Sequence, residues 1–154
     1  MDDSHPPAEA GGDYVSVGGP VDETVVTLAL YGENLDPGEV TRILRCNPSQ
    51  SFRKGDHREG HAPASMGGWF LTMRGRSPRT PAGLTTDILA RVPEECSVWE
   101  RLARRFKIQL RYGVFQEGWN RGFDLPLSLL EQAVNIRAEM NFDIYLSAHG
   151  KGEQ

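Results

Sequence analysis

The sequence predicts an α+β domain of two layers, a mainly antiparallel sheet with helices on one face. Three observations carry that expectation. Residues 24–31 are β-branched or apolar at nearly every position, as in a central strand covered on both faces. Residues 107–115 instead alternate, setting Ile108, Leu110, Tyr112 and Val114 against Lys107, Gln109, Arg111 and Gly113, which is the pattern of a strand with one wet face. Other segments place apolar side chains at helical spacing, above all Trp99, Leu102, Ala103 and Phe106. The order reads strand, helix, strand, strand, helix, strand, helix, strand. That is a ferredoxin-like βαββαβ core extended by a C-terminal helix and strand.

Each element has its own local reason. Residues 1–23 hold Pro6, Pro7, Pro20 and two glycine pairs with few apolar groups, so they read as a disordered acidic tail. A single domain is expected over residues 24–147, and residues 148–154 form a polar C-terminal tail. After the first strand, Asp36 is placed to cap a helix, Pro37 suits its first position and Glu39 would close a capping box. Val40, Ile43 and Leu44 give that helix its apolar stripe, and Asn47-Pro48 ends it. Residues 49–54 fit a short strand with Phe52 inward, and residues 69–73 fit another. The 14 residues at 55–68 lack periodicity, and loops of such length tend to be functional or disordered.

Farther on, residues 74–83 read as a loop containing Pro78 and Pro81. Thr86 is expected to cap a helical turn through Val92, and Pro93 to start a helix reaching Phe106. Residues 116–125 are a loop around Trp119-Asn120-Arg121-Gly122. Ser128 and Glu131 suggest a second capping box, with Leu129, Leu130, Ala133, Val134 and Ile136 buried behind it. In the final strand, at residues 141–147, Phe142, Ile144 and Leu146 are expected to point inward, with Asp143 and Tyr145 outward.

Charge narrows the function classes. The chain of 154 residues has a formal net charge of −4, distributed unevenly. Residues 1–41 hold nine acids and no Lys or Arg, whereas residues 42–79 hold eight bases against two acids. An acidic chain of this kind is a poor nucleic-acid coat, so a nucleic-acid partner is disfavoured. No apolar run approaches the ~20 residues needed to span a bilayer, and the start lacks the pattern of a secretory signal. Two cysteines, Cys46 and Cys96, are too few for a disulfide framework.

No residue set marks a reaction. His57 and His61 have the spacing of helical metal ligands, but Arg58 stands where a zinc protease needs Glu, and Gly60 and Pro63 oppose a helix. The expectation is therefore no metal, no cofactor and no assigned catalytic residue. Candidate binding residues are Arg53, Lys54, Asp56, Arg74, Trp119, Asn120, Arg121 and Tyr145. Arg53, Lys54 and Arg58 on one side, and Arg74, Arg76 and Arg79 on the other, would converge at one end of a hairpin, with guanidinium forks suited to carboxylate or phosphate. The competing reading is that these cations simply balance nearby acids. Trp119 either anchors an interface or folds over the sheet edge.

An ordered set of short motifs completes the reading. Tyr31-Gly-Glu-Asn-Leu-Asp-Pro37, Arg53-Lys-Gly-Asp56, Gly68-Trp69, Gly118-Trp-Asn-Arg-Gly-Phe123 and Phe142-Asp-Ile-Tyr145 follow one another along the chain. The set resembles the bacterial family catalogued as domain of unknown function 4279, over roughly residues 25–146. The resemblance implies a small cytoplasmic bacterial protein and supplies no catalytic residue. The expected function is a non-catalytic binding protein, immunity-type or regulatory, that binds a partner protein. The alternative is a small-molecule or anion-binding regulatory domain. Oligomeric state is not legible at this level.

Overall fold

The β-branched run becomes the middle of a five-stranded sheet in the computed structural model, which describes residues 18–147. The elements are β1 (Gly19–Pro20), β2 (Glu23–Gly32), α1 (Pro37–Leu44), β3 (Gln50–Phe52), β4 (Gly67–Arg76), α2 (Pro81–Leu89), α3 (Cys96–Ala103), β5 (Lys107–Gln116), β6 (Arg121–Gly122), α4 (Leu127–Asn135) and β7 (Glu139–Leu146). The sheet runs β3-β4-β2-β5-β7, with β1 and β6 forming a separate two-residue parallel pair. Neighbours from β3 to β5 are antiparallel, and β7 joins β5 in parallel. Each of the first two helical crossovers skips one strand: α1 carries the chain from β2 past β4 to β3, and α2 with α3 carries it from β4 past β2 to β5. This is the split βαβ arrangement of the ferredoxin-like core. The parallel β7, reached through α4, makes the sheet mixed.

Register sets the two faces. Val26, Leu28 and Leu30 of β2 lie beside Met73, Leu71 and Trp69 of β4 and beside Tyr112, Leu110 and Ile108 of β5. Apart from the partly buried Met73, these residues are almost wholly buried, together with Leu84, Ile88, Trp99 and Leu102 from the helices. Two indoles find acceptors inside this layer: Trp69 Nε1 donates to Thr41 Oγ1 at 3.1 Å and Trp99 Nε1 to the Pro93 carbonyl at 2.7 Å. The opposite face is more polar. There the Thr27 and Thr72 hydroxyls meet at 2.9 Å, and Arg111 donates to the Tyr31 hydroxyl at 2.7 Å.

Several boundaries differ from the sequence reading for identifiable reasons. Residues 18–23, expected in the tail, join the domain: Val21 is buried and Glu23 opens β2. The parts of both expected tails at residues 1–17 and 148–154 lie outside the described residues. Helix α2 starts at Pro81, because Thr80 accepts from the Gly83 N–H at 3.0 Å and Pro81 takes the first turn. It ends at Leu89, and α3 begins only at Cys96, so Thr86 is interior and Pro93 belongs to the connection. Asp36 does cap α1, accepting from Gly38 N–H at 3.0 Å, but Glu39 turns away to pair with Arg105 at 3.0 Å. That guanidinium holds the Glu39 carboxyl below its ordinary range. Pro126, not Ser128, precedes α4, and no side chain caps it.

Tyr112 supplies a pH prediction. Its ring is buried, and its hydroxyl lies 2.9 Å from Thr85 Oγ1. Burial pushes the phenol above its ordinary value of 10.0 by opposing the anion, while the Thr85 hydrogen bond pulls modestly the other way. A folded-state value above the unfolded one means that this group's stabilising contribution is complete below the unfolded value and is lost as pH rises through the folded one. Stability should therefore fall above about pH 10. Tyr112→Phe should flatten that alkaline decline while costing ~1 kcal/mol at neutral pH through the lost hydrogen bond. Urea titrations at neutral and alkaline pH check both signs; an unchanged alkaline slope in the variant would refute the assignment.

Candidate interaction surface

The cations read as a convergent cluster are separated by the length of β4. Strand β3 pairs only with residues Gly68 to Phe70, so Arg53 and Lys54 stand near the start of β4. Arg74 and Arg76 sit at the other end, beside Glu23. At ~3.3 Å per residue, six or seven residues of extended chain keep the groups about 20 Å apart. The hairpin forms as expected, but it does not gather the charges. Each of these cations except Arg58 lies against a carboxylate instead. Arg53 reaches Asp36 at 2.8 Å and Lys54 pairs with Glu33. Arg74 and Arg76 share Glu23, both at 3.2 Å, and Arg79 pairs with Asp87. Exposed pairs of this kind add little stability, yet they leave the forks engaged.

The loop between β3 and β4 closes on itself. Asp56 accepts from the Arg53 N–H at 2.8 Å, and Gly55 N–H donates to the Ala64 carbonyl at 2.7 Å. Arg58 lies over the Phe52 ring, 4.6 Å from its centroid. His57 and His61 are exposed, and among the described residues no three His, Cys, Asp or Glu side chains gather as a metal site.

The second group of candidates does come together, at the end of the sheet where β5 and β7 finish. Residues 117–120 follow β5 and are pinned from two sides. Asp22 Oδ2 accepts from Glu117 N–H at 2.6 Å, and the Asn120 carbonyl accepts from Gly19 N–H at 3.1 Å. Arg121 adds a 3.8 Å approach to Asp22. This anchored loop presents Trp119 with 86% of its surface exposed, so the indole is not folded over the sheet edge. Tyr145 stacks on Phe115 on the helix-free face, with ring centroids 4.8 Å apart. A hollow of about 750 Å³ lies beside the loop, lined by Gly18–Val21, Arg79–Ala82 and Asn120, among others.

The residues that sequence reasoning missed lie next to this loop. Phe142, Ile144 and Leu146 share the helix-bearing face with Tyr112 and Val114, as their pairing requires. The Phe142 ring stacks on Tyr112 at 4.9 Å. No helix reaches past it, however, and all three are exposed. Helix α4 buries Leu129 and Ala133, with Ile136 just beyond its end, while Asn135 on one flank donates to the Glu94 carbonyl at 2.9 Å. Away from that flank the helix carries Leu127, Leu130 and Val134, spaced i, i+3, i+7, and all three are exposed. Among the described residues, eight of the nine large exposed apolar side chains thus fall between Trp119 and Leu146, and Met66 is the ninth. The alternation in residues 141–147 identified which side chains share a face. It carried no signal for whether anything covers that face.

Among the described residues no helix is long and apolar enough to cross a membrane. No curated protein and no solved structure matches the chain. A family model does: with residues 22–147 matched, from the aspartate that pins the Trp119 loop to the end of β7, the chain belongs to the family described as Domain of unknown function (DUF4279).

Proposed function

We propose that this chain is a non-catalytic protein-binding domain, a cytoplasmic bacterial protein of immunity or regulatory type, whose contact surface is the edge formed by Trp119, α4 and β7. The observation that carries the reading is the concentration of exposed apolar side chains at that edge. Isolated exposed apolar residues are ordinary, but a contiguous patch marks an interaction site. An anchored, solvent-facing Trp is the residue type that most often dominates such an interface. The alternative of a small-molecule or anion site has less in its favour. The hollow's cation, Arg79, is held by Asp87, and Arg53, Lys54 and Arg74 are each held by an acid.

Affinity capture with purified wild-type chain as bait, beside a Trp119→Ala, Val134→Lys bait, tests the reading in a native bacterial extract. A specific protein retained by the wild type should be lost by the variant. Trp119→Ala alone is expected to weaken its binding by about 2 kcal/mol, roughly thirtyfold. Equal retention by both baits would remove the surface from consideration.

A further inference from the structure

We infer that a second copy of this chain covers the β7 edge, pairing β7 with β7 antiparallel about a two-fold axis so that two five-stranded sheets become one. The inference rests on the reading of this edge as a protein contact and names the partner.

The two edges of the sheet are built differently. Strand β3 is three residues long and is followed directly by Arg53 and Lys54, so it is short with cations at its end. Those are devices by which proteins discourage strand addition. Strand β7 is eight residues long, has no Lys, Arg or Pro, and is exposed at nearly every position. Its free side is also primed for pairing. Ser147 N–H donates to the Gln116 carbonyl at 2.9 Å, so the odd-numbered residues of this parallel ladder turn their amides toward β5. The even-numbered Phe142, Ile144 and Leu146 therefore turn their N–H and C=O groups to the open edge.

The strand is self-complementary. With the axis at Ile144, that residue meets its own copy and Phe142 meets Leu146 on the helix-bearing face. On the other face Asp143 lies opposite Tyr145, whose hydroxyl is a donor for the carboxylate. An axis at Asp143 would set two carboxylates directly opposite, which is unfavourable. Joining the sheets in this way keeps both sets of helices on one side, so the exposed Leu127, Leu130 and Val134 of both copies lie on the same side of the junction. Area agrees. The six apolar side chains on that side are 40% to 70% exposed. Together they offer on the order of 600 Å² per chain, most of the ~800 Å² that each partner gives to a standard stable interface.

Multi-angle light scattering and sedimentation velocity on the purified full chain test this over a series of concentrations. The expected result is a mass of two chains. Ile144→Lys should give one chain with unchanged far-UV circular dichroism, because the side chain lies outside the core, and its melting should lose the concentration dependence that dimerisation gives the wild type. Met66→Lys, altering the exposed apolar residue away from this edge, should remain two chains. A monomeric wild type overturns the inference, as does a dimer that survives Ile144→Lys. A monomer that dimerises only after removal of residues 1–17 overturns it too, by making the chain's own terminus the occupant. The broader reading is tested separately. If the wild type is monomeric yet the captured protein is still lost by the variant bait, only the identity of the partner has failed.

Discussion

Trp99→Ala is expected to destabilise the protein by about 3–5 kcal/mol, the range for removing a fully buried large aromatic side chain. The indole is fully buried within the hydrophobic core. Its loss opens a cavity and, separately, strips the buried Pro93 carbonyl of its donor at 2.7 Å. Because small domains have only ~5–15 kcal/mol of net stability, the variant should unfold at a much lower urea concentration and be poorly recovered at 37 °C. Trp99→Phe separates the two contributions: it keeps most of the packing and forfeits only the hydrogen bond and part of the volume. A fall in midpoint for Trp99→Ala no larger than that of a surface variant would show that the helix layer is not packed as described.

The second large effect belongs to a residue without a side chain. Gly67 opens β4 opposite Gly32, where the chain leaves β2 and turns toward α1. A Cβ at Gly67 would stand 2.6 Å from the Leu35 carbonyl oxygen and 2.9 Å from Leu35 Cβ. The opposing atoms include backbone, and Leu35 is itself buried and hydrogen-bonded to the Gly32 carbonyl at 3.2 Å. The clash must therefore be relieved by shifting the turn or the start of the strand. Gly67→Ala is expected to cost about 2–3 kcal/mol, near the upper part of the range for overpacked sites. Gly122→Ala is the internal control, since nothing lies within 4 Å of a Cβ there. Parallel urea titrations should show a large midpoint shift for the first variant and almost none for the second.

These sites show how unevenly the sequence exposes its structure. The cap at Asp36-Pro37 and the alternation in β5 are written in neighbouring residues, and both elements form where those signals place them. The start of α2 was equally legible in Thr80-Pro81, but the prolines at 78 and 81 made the stretch look like a continuous loop. Glu39 had two available partners, a backbone N–H nearby and Arg105 across the fold; the tertiary partner prevailed, and local spacing cannot anticipate it. The hairpin of β3 and β4 was foreseen, yet its offset was not. Three paired residues against a ten-residue strand decide that the two basic groups part company. For β7 the missing information was of another kind. Periodicity reports the direction of side chains relative to one another, and coverage depends on neighbours that the local pattern does not encode.

The Trp119 loop gives the counter-example, because its candidate residues were nameable in the sequence while their arrangement was not. Asp22 holds Glu117 and approaches Arg121 across nearly a hundred positions of chain. That tether leaves a short loop with little freedom to lose when Trp119 meets another surface, which lowers the ordering cost of contact.

The contrast between the short β3 edge, ended by Arg53 and Lys54, and the long β7 edge, which has no Lys, Arg or Pro, also limits how far a sheet made from this chain can grow. A protomer with one permissive side has a valence of one for strand pairing. Self-association through β7 consumes that valence in a closed two-fold pair and leaves outward only the two guarded β3 strands. Head-to-tail addition, which would propagate into a filament, lacks a second acceptor. The chain can thus present a sticky strand in the cell without supplying the repeating contact that fibre growth requires.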